Sequence, residues 1–233
     1  MLGSIPRGEP WRRRLYVPNY QVGEAARYAE ISPQTVVDWH KAGDRKTLST
    51  REKRASLSYM QLIEVAVVAA FRNSGVPLKR VKAAREYLAK QFQSEFPFAE
   101  YSFKTDGKRL FIDYEQIEGA KGRGKLLRPD EGGQLAWDAI IGRLSEFDYE
   151  RKGIVIRWHL RGQDSPIIID PRVAFGAPAV KGTPTWVLRG RWDAGERVDE
   201  IADDFGLRSA EIIRALQFEG VEMPDTRKAS WKH

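Results

Sequence analysis

The stretch from Ile167 to Glu219 most narrows what this 233-residue chain can fold into. Ile167-Ile168-Ile169 is a β-branched run, and Asp170-Pro171 turns it at once, as the end of a strand requires. Phe175-Gly176-Ala177-Pro178 and Val180-Lys181-Gly182-Thr183-Pro184 follow, too rich in glycine and proline for a helix. Three helical patterns come next. The first spans Trp186 to Asp193. The second spans Arg197 to Phe205, with Val198, Ile201, Ala202 and Phe205 inward and Gly206 as C-cap. The third follows Ser209 as N-cap and carries Ile212, Ile213, Leu216 and Gln217. A strand feeding a three-helix, homeodomain-like unit with a helix-turn-helix is the expectation.

A second pattern of this kind stands near the start. Val22, Ala25, Ala26 and Ala29 recur at helical spacing, Ile31 follows, and Ser32-Pro33 supplies an N-cap with proline at the first helical position. The next helix runs through Thr35, Val36 and Trp39 and is expected to stop near Gly43. In such a motif the second helix enters the major groove of duplex DNA. From Leu57 to Leu88 the spacing predicts a helix pair. Leu62, Ile63, Val65, Ala66 and Ala69 face inward, and Gly75-Val76-Pro77 breaks the pair. Between the blocks, Asp44 to Ser56 carries Arg45, Lys46, Arg51, Lys53 and Arg54, where a wing could grip phosphates.

Charge gives these patterns different partners. Residues 1–95 hold 17 Lys/Arg against 9 Asp/Glu, whereas the remainder holds 22 against 23. The whole surplus of the +7 chain lies in front, which points to a polyanion bound there; a soluble domain with a basic face is the other reading. The second unit is acidic along its central helix, through Glu196, Asp199, Glu200, Asp203 and Asp204. It fits a basic protein partner or a dimer contact better than a phosphate backbone.

The middle is less regular. Phe98 to Phe103 alternates, Asp106-Gly107 is turn chemistry, and Arg109 to Ile112 returns, so a β-hairpin is expected. Ile117 to Asp130 reads as a loop, Leu135 to Phe147 as a helix with Trp137, Ile140, Ile141 and Leu144 on one face, and Ile154 to Trp158 as a short strand. Asp113, Glu115 and Glu118 have no histidine or second acidic cluster to complete a metal site.

What is missing excludes several classes. With no cysteine, disulfides, thiolate metal sites and cysteine catalysis are ruled out. His40, His159 and His233 are too scattered for a local zinc site. No apolar run reaches the roughly 18 residues of a membrane span. Arg12 to Arg14 are followed by no apolar leader segment, so a cytoplasmic chain is expected. A phosphate loop and a nucleophile elbow are absent too. The expectation is a non-enzymatic protein without cofactor or metal.

The residues also carry resemblances. Thr35-Val36, Trp39 and Gly43, continued by the Leu57–Leu88 pair, resemble the MerR and excisionase type of winged helix. One departure is Val37, where many such proteins hold a phosphate-binding arginine, with Asp38 beside it. The string Ile-Asp-Pro-x-x-x-Phe-Gly-x-Pro-x-x-x-Gly-Thr from Ile169, with Ala-Gly-Glu and Ile-Ala-x-Asp-Phe-Gly-Leu beyond it, resembles domain of unknown function 433. Here the departure is Pro184, where that family usually shows arginine. Joined together, the parts resemble a VapB-type antitoxin of a toxin–antitoxin pair. The resemblance implies binding of a PIN-like ribonuclease toxin, repression of the chain's own operator DNA, and a homodimer.

The expected fold is mainly helical α+β. It comprises a MerR-like winged helix over 16–95, a hairpin and helix connecting segment over 96–165, a domain 433 unit over 166–221 and a flexible tail over 222–233. The candidate DNA contacts are Ser32, Gln34, Thr35, His40 and Lys41, with Arg45, Lys46, Arg51, Lys53 and Arg54 of the wing. The candidate toxin contacts are in the tail: Arg227 or Lys228 to neutralise the carboxylates of a PIN-type site, and Trp231 as an aromatic anchor. A stand-alone MerR-like regulator without a toxin is the alternative.

Overall fold

The computed structural model describes residues 10–41, 47–49, 55–100, 144–150 and 154–223. The chain forms two compact units, Met1–Trp158 and His159–His233. Helices and short antiparallel strands make up both, an α+β fold.

In the first unit α1 (Trp11–Arg14), α2 (Val22–Ala29), α3 (Pro33–Trp39), α4 (Tyr59–Asn73), α5 (Leu78–Phe92) and α6 (Pro97–Glu100) are joined by strands β1 (Phe147–Tyr149) and β2 (Val155–His159), which pair antiparallel. The centre is α4. Every residue from Leu62 to Phe71 is buried, Glu64 included, because α2, α5 and α6 all pack on it. A helix that is apolar all round belongs inside. Ser58 caps it, accepting from the Gln61 amide at 3.3 Å, while the Gln61 side chain accepts from the Ser58 amide at 2.9 Å. As expected, Gly75, at φ +87°, ends α4 and α5 starts after Pro77.

Glu64, one of the charged residues buried in this unit, is clamped. The Glu64 carboxylate takes bonds from Arg85 Nε at 2.9 Å and from the Phe98 amide at 3.0 Å, and Arg85 also donates to the Glu95 carbonyl at 2.5 Å. One buried carboxylate thus ties α4, α5 and α6 together. Burial pushes its pKa up to about 7, with the Arg85 guanidinium pulling the other way.

This clamp corrects the middle-segment reading. Phe98-Ala99-Glu100 is a turn of helix, because Pro97 suits the start of a helix, the Phe98 amide is held by Glu64, and the Phe98 ring packs 6.2 Å from that of Phe71. Phe147 likewise lies in a strand, opposite Trp158 with ring centroids 5.7 Å apart; cross-strand aromatic packing outweighs the helical spacing that precedes it. The strand expected over Ile154–Trp158 is found as β2. The rest of the expected hairpin, the glycine-rich loop, most of the expected helix and Asp113, Glu115 and Glu118 lie outside the described residues.

In the second unit β3 (Ile167–Ile169), β4 (Ala179–Val180) and β5 (Thr183–Pro184) pair antiparallel in that order, and α7 (Thr185–Asp193), α8 (Val198–Phe205) and α9 (Ser209–Phe218) follow. Lys181 and Gly182 both have positive φ, +47° and +92°, giving the two-residue turn whose twist suits a tight hairpin. Asp170 ends β3 by accepting from the Arg172 amide at 2.9 Å and from its guanidinium at 2.8 and 2.7 Å. The expected helices are present with one shift. Arg208, not Ser209, is the N-cap of α9: its amide donates to Glu211 at 2.9 Å, and Ser209 is the first helical residue. No helix among the described residues is long and apolar enough to cross a membrane.

Candidate nucleic-acid interface

Sequence dictates the geometry of the α2–α3 pair. Glu30 takes the left-handed conformation that ends α2, at φ +57° and ψ +43°, and the Ile31 amide reaches back to the Ala26 carbonyl at 3.0 Å. Ser32 then opens α3, its hydroxyl accepting from the Thr35 amide at 3.2 Å. Ala25, Ala26, Val36 and Trp39 are buried between the helices and α4. α3 stops at Trp39, short of Gly43, because the Trp39 carbonyl is claimed by the amides of Thr47 and Leu48 at 3.0 and 2.9 Å. A backbone acceptor claimed by the returning chain ends the helix early.

The sequence-derived contacts fall into three groups. Ser32 and Gln34 are exposed at the start of α3, Thr35 is half-buried, and Lys41 is exposed just beyond the helix. These lie on one outward side. His40 does not join them. It is buried, and its Nδ1 donates to the Ser49 carbonyl at 2.7 Å, so the ring fastens the chain after α3 instead of facing outward. Arg45, Lys46, Arg51, Lys53 and Arg54 lie outside the described residues, as do Arg227, Lys228 and Trp231.

Both roots of the candidate wing are fixed. On one side the Gln61 amide donates to Ser49 Oγ at 3.3 Å. On the other, Leu57 and Tyr20 exchange backbone bonds at 2.7 and 2.9 Å, and Gln21 donates to Ser56 Oγ at 3.1 Å. Residues 47–49 and 55–57, on either side of that segment in the sequence, are thus tied to α4, to the end of α3 and to the residues that open α2.

Asp38 is the negative group on this side. Gln34 Nε2 donates to it at 2.8 Å and Lys41 Nζ sits at 2.5 Å, so its charge is offset locally. Sequence reasoning sees a carboxylate among candidate DNA contacts; the i,i+3 and i,i+4 spacing from Lys41 and Gln34 is the signal that it is covered.

The second unit repeats the scaffold position for position, from Val198 to Ile213 as from Val22 to Val37. Gly206 takes the place of Glu30 at φ +61° and ψ +35°, and the Leu207 amide bonds the Ala202 carbonyl at 2.9 Å as Ile31 does Ala26. Several of its carboxylates are held within the unit. Asp204 is 2.5 Å from Arg191, which also binds Glu196, and Asp199 is 2.7 Å from Arg197. Glu211 is buried against Arg208 at 2.9 Å and Lys181 at 3.1 Å, and the Arg208 guanidinium and amide draw its pKa down to about 2.

Exposure is what sequence reasoning missed in the second unit. Phe175 is 72% and Trp186 62% exposed, though aromatic residues are expected inside. Nothing in the one-dimensional pattern separates them from core positions. Among the described residues no cluster of three metal-ligating side chains occurs.

Residues 167–218 match the family described as "Protein of unknown function (DUF433)", in agreement with the resemblance of that string. The chain is 24% identical over 227 residues to the protein named "Putative antitoxin VapB45" of Mycobacterium tuberculosis, spanning 87% of this chain and 94% of that one. Its fold is similar to the crystal structure of Rv2018 from the same organism, with a TM-score of 0.68 at 22% identity, over 87% of this chain and 99% of the other.

Proposed function

We propose that this chain is the antitoxin of a toxin–antitoxin pair, binding a PIN-like ribonuclease and repressing its own operon. The observation that carries this reading is likeness to a protein named an antitoxin over nearly the whole of both chains. The fold adds a division of labour. The first unit acts as a MerR-like winged helix: α3 presents Ser32, Gln34, Thr35 and Lys41 to the major groove, and Arg45, Lys46, Arg51, Lys53 and Arg54 hold phosphates from the wing. His40 serves this surface indirectly, by fixing the chain at Ser49. The chain works as a homodimer without cofactor or catalysis, in the cytoplasm, pairing two half-sites about one helical turn apart. In the tail, Arg227 or Lys228 neutralises the metal-binding carboxylates of the toxin, and Trp231 anchors the contact.

Co-expression with the product of the neighbouring gene, expected to be a PIN-like protein, tests the first half: growth is restored and the two co-elute. Growth arrest with separate elution would leave a stand-alone regulator. Gel-shift titration with the upstream DNA tests the second half. Arg51→Ala/Arg54→Ala flattens the logarithmic salt dependence by about 2 if both touch phosphate, and Gln34→Ala relaxes sequence preference by about 1–3 kcal/mol.

A further inference from the structure

The segment after β3 does something costly. Ala174, Phe175 and Gly176 adopt left-handed backbone in succession, at φ +46°, +54° and +80°. For residues with a Cβ this conformation is sterically unfavourable, and such strain collects at functional positions. Its result is a phenylalanine ring 72% exposed. Hydrophobic burial cannot account for it.

Other features converge on this place. Val173, 37% exposed, lies 3.8 Å from where a Cβ on Gly182 would be. The Thr185 amide bonds the Pro178 carbonyl at 2.9 Å, and next to Thr185 stands Trp186, 62% exposed at the start of α7. β4 and β5 are two residues each, so the hairpin between these points spans only about 7–10 Å at 3.3 Å per residue. Val173, Phe175 and Trp186 therefore gather about one short hairpin.

The charges beside it are already spent. Arg172 is bound bidentately by Asp170, and Lys181 by Glu211. Phosphates are held by uncompensated cations and anionic lipid surfaces by basic clusters; among the described residues, Arg172 and Lys181 beside these side chains are both already paired. A protein surface is left. The three side chains expose on the order of 300 Å², taking about 150–250 Å² for a whole aromatic, a fraction of the roughly 800 Å² that each partner of a standard complex buries and a smaller fraction still of what an obligate homodimer buries, so they are anchors within a larger contact. Two rigid aromatics on a small patch suit insertion into a cleft of a different protein, as interface anchors do.

We propose that Phe175 and Trp186, with Val173 beside them, are the anchors by which this chain grips the toxin, entering an apolar cleft on that folded partner. This rests on the antitoxin reading and places the main contact in the second unit, with the tail as an accessory. The test measures binding of the purified full chain to the purified PIN-like protein of the neighbouring gene by titration calorimetry, alongside Phe175→Ser/Trp186→Ser, the milder Trp186→Phe, and a truncation after Met223. The double variant is expected to bind at least tenfold more weakly with unchanged thermal unfolding and operator binding, Trp186→Phe to lose less, and the truncation to stay within a few-fold of wild type. Undiminished binding by the double variant would overturn the anchor proposal while leaving the antitoxin reading intact. Failure of the wild-type chain to bind would bring down that reading and the proposal with it. A double variant that dissociates to monomers, or loses operator binding, while still holding the toxin would reassign the patch to self-association or to DNA, and the proposal would fall.

Discussion

The two helix-turn-helix pairs share a backbone and differ in almost everything they show to solvent. Val22, Glu24, Ala26, Ile31 and Val36 have Val198, Glu200, Ala202, Leu207 and Ile212 as counterparts, and in both pairs the glutamate side chain accepts from the N-cap amide, Gln21 at 2.7 Å and Arg197 at 2.9 Å. Outside this shared frame, the first pair continues into a segment whose sequence is rich in arginine and lysine, and the second pairs Arg191, Arg197 and Arg208 with its own carboxylates. The lesson is that a scaffold of this size specifies a turn and a small core, and leaves function to the residues around it.

The sharpest way to break the comparison is through the charge each unit encloses. Glu64→Ala leaves Arg85 buried without its carboxylate and should destabilise the first unit by about 3–5 kcal/mol. The second unit should unfold as before, which hydrogen exchange resolved by unit would show. If the apolar pair Glu64→Leu/Arg85→Met regains most of that loss, the clamp serves specificity of packing more than stability.

pH separates the units next. Glu64 has a folded pKa raised from 4.5 to about 7 by burial, so the folded state binds its proton more tightly. Its contribution is fully present below about 4.5 and is lost as pH rises through 7. Glu211 is shifted the other way, to about 2, by Arg208. Its contribution is present above about 4.5 and is lost as pH falls through 2. Denaturant titrations across pH should therefore show opposite slopes for the two units, flattened separately by Glu64→Gln and Glu211→Gln. Equal slopes would mean that the two enclosed carboxylates are equivalent after all.

The turns give the smallest contrast. Gly206→Ala should cost about 1 kcal/mol, and Glu30→Gly should recover a similar amount, because both positions are left-handed and only one holds glycine. Thermal unfolding of the two variants measures both. A loss at Glu30→Gly would show that its side chain contributes more than its backbone conformation costs.

Much of this frame was legible in the sequence. Ser32-Pro33, Gly206 and the Gly75-Val76-Pro77 break mark chain directions through rules that act within a few residues, and the string from Ile169 marks the segment matched by the family model. The misreadings share a cause. Phe98 alternates with its neighbours like a strand residue, but its amide is fixed by Glu64, 34 positions earlier. Phe147 fits a helical period, but Trp158 draws it into a ladder. His40 looks like one more polar residue after a recognition helix until Ser49 folds back onto it. Phe175 and Trp186 carry no mark of their exposure in the sequence. In each case the deciding partner is distant in sequence, or is a backbone conformation that composition does not encode.

One consequence follows from the complete enclosure of α4. A helix with a wet stripe can fray or slide along it and still keep half its surroundings. α4 has no such stripe between Leu62 and Phe71, so no halfway station is open to it: any excursion strips α2, α5 and α6 of their common support at the same moment. The front of the molecule should accordingly come apart in one step, with the amides of α4 the last to exchange with solvent.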